Sequence, residues 1–156
     1  MSTQYGAIVD DVAVNFLKGD LMLECLIVGD SIAVGVSQVR TECTAIVKSG
    51  INSKVWNERH LNSIKPARTL VISLGANDYK GIKTEENIRI LRTVAKADQV
   101  FWLLPSGKLK PAQVEAVKRV AEEFGDVVIP RPETNISADG VHPTYKGYKL
   151  LAEQTK

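Results

Sequence analysis

The chain has 156 residues, enough for one domain with a buried core. Hydrophobic residues make up 44% and charged residues 24%, an ordinary balance for a soluble domain. The net charge is only +2 and the lysines and arginines are scattered, which argues against a nucleic-acid surface; no apolar run, "TLVISLGA" included, is long enough to cross a membrane.

Residues 1–20 fit no repeating unit and are expected to form an extra strand, a short helix or an interaction arm. They show no basic stretch followed by a continuous apolar core, so a cytoplasmic location is the default expectation, with release by another route left open. A single domain is expected over residues 21–156. Short apolar runs at Leu21–Val28, Ala45–Lys48, Thr69–Leu74, Gln99–Leu104 and Val127–Ile129 read as parallel strands covered on both faces.

Helical patterns alternate with them: Ile32–Arg40, Lys54–Leu61, Glu85–Lys96, Pro111–Phe124 and Tyr145–Gln154. Asp30 or Ser31 is placed to cap the first, Ser53 the second, Thr84 the third and Thr144 the last. The fourth opens on a proline and stops at Gly125. The βαβαβαβαβα order argues for a doubly wound α/β domain. Phe101 and Trp102 then belong to the core, and His60 to a polar helix surface. Cys25 and Cys43 form no metal motif and are expected as buried free thiols in a reducing compartment. With only two histidines, no multi-histidine metal site is expected.

In a doubly wound sheet the site lies beyond the carboxyl ends of the strands. The polar, glycine-bearing clusters all fall there: Gly29-Asp30-Ser31, Ser49-Gly50, Gly75-Ala76-Asn77-Asp78, Pro105-Ser106-Gly107 and Ser137–Thr144. Ser31 is either a helix cap or a nucleophile that needs a neighbouring base. Asp139 and His142, three residues apart, offer such a base with a buried acid to orient it, or form an ordinary surface turn. Asn77 has amide donors and Gly50 an accessible backbone N–H, both suited to an oxyanion, though each also fits a simple turn. Tyr79, Lys80 and Ser106 are candidate substrate contacts. The connections after the strands are short, with Ile32, Ile51, Tyr79 and Val141 as scattered apolar groups, so a shallow groove is expected.

Taken together, Gly29-Asp30-Ser31, Gly50, Gly75-x-Asn77-Asp78 and Asp139-x-x-His142 resemble the four blocks of the SGNH hydrolases, the GDSL-type esterases and lipases, from about Leu21 to Leu151. The resemblance implies a flavodoxin-like three-layer α/β/α sandwich with a five-stranded parallel sheet. It implies Ser31 as nucleophile, His142 as base with Asp139 as its partner, and an oxyanion hole made by Gly50, Asn77 and the Ser31 N–H. No metal or cofactor is implied. The expected activity is hydrolysis of short-acyl esters, acetyl among them, on a small molecule or a carbohydrate. Acyl transfer by the same residues, and a non-catalytic binding module on the same fold, are the rival readings.

Overall fold

The computed structural model describes residues 22–156, so the arm at residues 1–20 lies outside the described residues. Five strands, β1 (Leu23–Gly29), β2 (Thr44–Val47), β3 (Ala67–Ser73), β4 (Ala97–Leu103) and β5 (Val127–Ile129), form one sheet in the order β2-β1-β3-β4-β5. All neighbouring pairs run parallel. This is the flavodoxin-like order, whose switch point lies between β1 and β3.

The helices are α1 (Ser31–Val39), α2 (Ser53–His60), α3 (Thr84–Val94), α4 (Pro111–Phe124) and α5 (Tyr145–Gln154). Side chains alternate across each strand and so feed two cores. Leu26, Val28, Leu70, Ile72 and Trp102 pack with Trp56, Ile88, Leu91 and Val117 of α2, α3 and α4. Ile27, Val71, Phe101 and Leu103 pack with Ala33, Val36, Leu151 and Ala152 of α1 and α5. The result is the expected three-layer α/β/α sandwich. Among the described residues no helix is long and apolar enough to cross a membrane.

Two glycines let the layers approach. At Gly29, where φ is +136°, an added Cβ would lie 1.9 Å from the Ser73 carbonyl oxygen. At Gly35 it would lie 2.1 Å from the Tyr148 ring, so only glycine lets α1 pack on α5. The caps are redistributed relative to expectation. Asn52, not Ser53, caps α2 by accepting from Val55 N at 2.8 Å. Thr84 lies inside α3. Both hydroxyls turn instead to the buried Asp78: Ser53 Oγ donates to its Oδ2 at 2.7 Å and Thr84 Oγ1 at 2.6 Å, while Ser53 N donates to Oδ1 at 2.8 Å. One carboxylate thus ties the starts of α2 and α3 to the loop after β3. His60 ends α2 half-buried, its ring 5.4 Å from that of Trp56, rather than free on the surface.

The expectation of free thiols is corrected: Cys25 and Cys43 form a disulfide. The cause is register. Leu26 pairs with Thr44, so Cys25 in β1 and Cys43, the residue just ahead of β2, come side by side with Cα atoms 4.8 Å apart. That is the ordinary strand spacing.

Two predictions follow from these contacts. The disulfide links residues 18 apart, and closing such a loop in the unfolded chain is worth about 3 kcal/mol. The Cys25→Ser/Cys43→Ser double variant is expected to lose about that much in urea denaturation. Dithiothreitol should destabilise the wild type to a similar degree and leave the double variant unaffected.

The second concerns Asp30, which is fully buried, with Oδ2 bonded to no group among the described residues. Burial pushes its carboxyl up to about 6, against the opposing hydrogen bonds from Ser73, Ile32 and Ala33. The folded state therefore holds a proton that the unfolded chain releases. Asp30's contribution to stability is fully present in acid and is lost as pH rises through about 6. Asn at position 30 does not titrate and still caps a helix. Asp30→Asn should therefore gain about 2 kcal/mol relative to wild type between pH 4.5 and 7. Denaturation of both proteins at the two pH values measures it, and a pH-independent difference would contradict the assignment.

Candidate active site

β1 ends at Gly29 and the chain turns directly into α1. Asp30 caps that helix: its Oδ1 accepts from Ile32 N at 3.1 Å and from Ser73 Oγ at 2.8 Å. With the cap supplied by Asp30, the Ser31 hydroxyl is left for other work. It lies 3.0 Å from His142 Nε2. As the first residue of α1, Ser31 also presents a backbone N–H with no acceptor inside the helix, at the positive end of its dipole.

His142 arrives from the loop between β5 and α5. Its Nδ1 lies 2.7 Å from Asp139 Oδ2. A carboxylate oxygen only accepts, so Nδ1 carries the hydrogen and Nε2 is left bare to accept the Ser31 hydroxyl proton. Asp139 also receives the backbone N–H groups of Val141 (2.8 Å) and His142 (2.9 Å) on Oδ1. The Ser137 hydroxyl lies 2.8 Å from the same Oδ1 and 2.8 Å from the His142 carbonyl. The His142 ring first, then these N–H groups and Ser137, hold the Asp139 carboxyl well below the usual carboxylate range. Asp139 is not the buried acid that was expected, since its side chain is 49% exposed. It sits on a rim loop, and hydrogen bonds rather than enclosure fix it.

Sequence reasoning missed Arg131. Its Nη2 donates to the carbonyls of Gly140, at 3.0 Å, and Val141. It grips the loop between Asp139 and His142 from outside. A lone arginine nine residues upstream carries no motif signal.

Ser31, His142, Asn77 and Ser106 line one cavity of about 130 Å³. Asn77 Nδ2 donates one hydrogen to the Ile51 carbonyl at 3.0 Å, which leaves its second. Gly50 is placed differently. It lines an adjacent hollow with Lys48, Ile51 and Arg59. Its φ is +82°, and among the described residues its N–H meets no acceptor. The end of β2 is held to the Ser31 turn by Lys48 N, which donates to the Gly29 carbonyl at 2.9 Å.

Tyr79 and Lys80 are not brought to the Ser31 cavity. Tyr79, 64% exposed, borders a separate hollow with Lys54 and Lys83, and Lys80 is exposed on the loop. The apolar character of the cavity also comes from elsewhere than expected. Ile32 and Val141 contribute, but Ile51 is buried in the core and does not line it. The wall is Leu103, Leu104, Pro105, Leu109 and Ile129, from the ends of β4 and β5 and the loop after β4. Leu103 and Ile129 are core residues as well as cavity wall, and it is the β4–β5 pairing, which sequence does not show, that sets them side by side there.

No family model matches this chain, and no curated protein matches it. Solved structures do share its shape. One is a GDSL-like lipase from Bacteroides thetaiotaomicron, with 19% identity over 83% of each chain and a TM-score of 0.59. Another is the C-terminal catalytic domain of peptidoglycan O-acetyltransferase A from Streptococcus pneumoniae, with 18% identity over 85% of this chain and 89% of that one, and a TM-score of 0.57. A third is an aryl esterase from M. smegmatis, with 15% identity, 85% and 97% coverage, and a TM-score of 0.56. At this level of identity the likeness concerns the fold, and the chain has the fold of the SGNH, or GDSL-type, hydrolases.

Proposed function

We propose that this protein is a serine esterase that hydrolyses short-acyl esters through a covalent acyl-enzyme. The observation that carries the reading is the unbroken chain Ser31–His142–Asp139, with links of 3.0 and 2.7 Å, on the carboxyl edge of the sheet. Ser31 Oγ attacks the ester carbonyl while His142 Nε2 takes its proton. Asp139 holds the ring tautomer and stabilises the imidazolium that forms. The negative charge on the carbonyl oxygen is met by the Ser31 N–H and the second hydrogen of Asn77 Nδ2, with Gly50 N–H as a third donor. His142 then gives its proton to the leaving alcohol, and water repeats the sequence on the acyl-enzyme. His142 is 42% exposed, so water reaches the base, which favours hydrolysis over transfer to a second alcohol.

The cavity of about 130 Å³ is small against the roughly 300–1,000 Å³ of sites that enclose a drug-sized ligand. Its aliphatic wall suits an acetyl or similarly short acyl group, and the open rim leaves room for a larger alcohol such as a carbohydrate. Ser106 lines the cavity and remains a substrate contact in this reading, whereas Tyr79 and Lys80 touch only the outer parts of a large substrate. The disulfide supports an oxidising compartment rather than the cytoplasm.

Ser31→Ala is expected to abolish hydrolysis of para-nitrophenyl acetate and labelling by a fluorophosphonate. It should leave the circular dichroism spectrum intact, because Asp30 retains the cap. A variant that keeps a rate close to wild type would remove Ser31 as nucleophile.

Asn77→Ala is expected to lower kcat by about 10²–10³ with little change in KM, since an oxyanion donor acts mainly in the transition state. An effect confined to KM would reassign Asn77 to substrate positioning.

Across acetyl, butyryl and octanoyl esters of one alcohol, kcat/KM should peak at the short acyl groups. Each further methylene gains about 0.8 kcal/mol only where there is wall to bury it. A steady rise to octanoyl would overturn the short-acyl reading and leave the catalytic residues as assigned.

A further inference from the structure

The cations around the site are unbalanced. The sequence has seven arginines. Arg40, Arg68, Arg89, Arg92 and Arg119 each pair with a carboxylate. Among the described residues Arg59 and Arg131 do not: Arg59, in the last turn of α2, borders the hollow that Gly50 lines, and Arg131 lines the Ser31 cavity. Lys110 lines the same cavity and likewise has no carboxylate within ion-pair distance among the described residues.

Lys110 and Arg131 are both held in place by neutral backbone oxygens. Lys110 Nζ donates to the Asp78 carbonyl at 2.8 Å, and Arg131 Nη2 to those of Gly140 and Val141. The carbonyls fix the two heads without cancelling their charge. Donors remain: two hydrogens on Lys110 Nζ, and Nε and Nη1 of Arg131, which make no hydrogen bond among the described residues. Among the described residues no aspartate or glutamate lines the cavity. α4, 14 residues long, starts at its edge with Lys110 as the N-cap and adds the positive end of its dipole. Hydrolysis of a neutral ester needs none of this. Asp139 is already occupied by His142, Val141 and Ser137, and a half-buried pair of cations on a cavity lined by no acid among the described residues is suited to an anion.

We infer that the ester taken by this site carries a negative group, a carboxylate or its equivalent, on the part that meets Lys110 and Arg131 at the cavity wall. The inference rests on the esterase reading for its chemistry and adds the charge of the substrate.

The test compares esters that differ in charge but little in shape. On the alcohol side these are para-acetoxybenzoate and para-acetoxybenzamide. On the acyl side they are para-nitrophenyl hydrogen succinate and para-nitrophenyl butyrate. At low salt one anionic ester should exceed its neutral partner in kcat/KM by about tenfold, the scale of one charge-assisted hydrogen bond. The side on which the preference falls identifies the part of the substrate that meets the two cations. The ratio should fall toward unity in about 0.5 M NaCl, and also in Lys110→Met and in Arg131→Met. Binding of the same four esters to Ser31→Ala, followed by calorimetry, reads the preference without turnover. Neutral esters hydrolysed as fast as both anionic ones would overturn the inference and leave the esterase reading standing. No turnover of any ester, with tighter binding of an anionic one, would do the reverse. Equal binding within both pairs would overturn the inference whatever the turnover.

Discussion

The site depends on a carboxylate that performs no chemistry. Asp30 is enclosed between β1, β3 and α1 and accepts from Ile32 N and Ser73 Oγ. By capping α1 it fixes where the helix begins, and so fixes that Ser31 is the first helical residue. It also removes the alternative use of the Ser31 hydroxyl, which would otherwise be free to cap the helix itself. The arrangement is costly, because among the described residues no cation neutralises Asp30 and one of its oxygens has no partner. A chain under selection for stability alone would place an asparagine or serine there. A buried acid beside a serine is instead the kind of locally unfavourable feature that functional sites retain.

Asp78 plays the matching part on the other side of the sheet's switch point. Its two oxygens collect three hydrogen bonds from Ser53 and Thr84, and its carbonyl receives Lys110. The neighbouring Asn77 is therefore carried on a loop whose ends are fixed by α2, α3 and the start of α4. Asn77 spends one amide hydrogen on Ile51 and is held in orientation by it. The second hydrogen then points from a rigid support, which is what preorganised stabilisation of a developing charge requires. Because Ile51 adjoins Gly50, the same bond couples the two loops that carry the candidate donors.

Much of this was legible in sequence, for identifiable reasons. Continuous apolar runs ending in Gly29, Gly75 and Pro105 marked the strand ends to within a few residues, because a strand buried on both faces has no polar positions until it leaves the sheet. Ser31, Asn77, Asp139 and His142 were legible because their spacing is local or tied to those ends. What stayed hidden depends on pairing between distant segments. The Cys25–Cys43 bond needs the β1–β2 register. The aliphatic wall of Leu103, Leu104 and Ile129 needs the β4–β5 register that sets Leu103 opposite Ile129. Tyr79 lay two residues from Asn77 in sequence, yet the turn at Gly81 sends it to a different hollow. The cap assignments at Ser53 and Thr84 failed because propensity cannot anticipate a buried acid that competes for the same hydroxyls.

The two halves of the site are rigid for different reasons. Ser31 is held by the sheet, through Gly29 and Asp30. Asp139 and His142 lie on a loop with no strand beneath them, so the loop must supply its own order. Ser137 N donates to the His142 carbonyl at 2.8 Å, and Gly140 N to the Ser137 carbonyl at 3.0 Å. The bridge between Ile136 and Pro143 and the bond from Thr144 N to the Asn135 carbonyl close its base. Within that frame the spacing of three residues lets one carboxylate accept both the backbone N–H and the ring N–H of the same histidine. Arg131 then donates to the carbonyls of Gly140 and Val141. The arginine that holds the His142 loop also lines the cavity, with its remaining N–H groups unspent among the described residues. Positioning of the histidine and attraction of an anion are two consequences of one side chain's geometry.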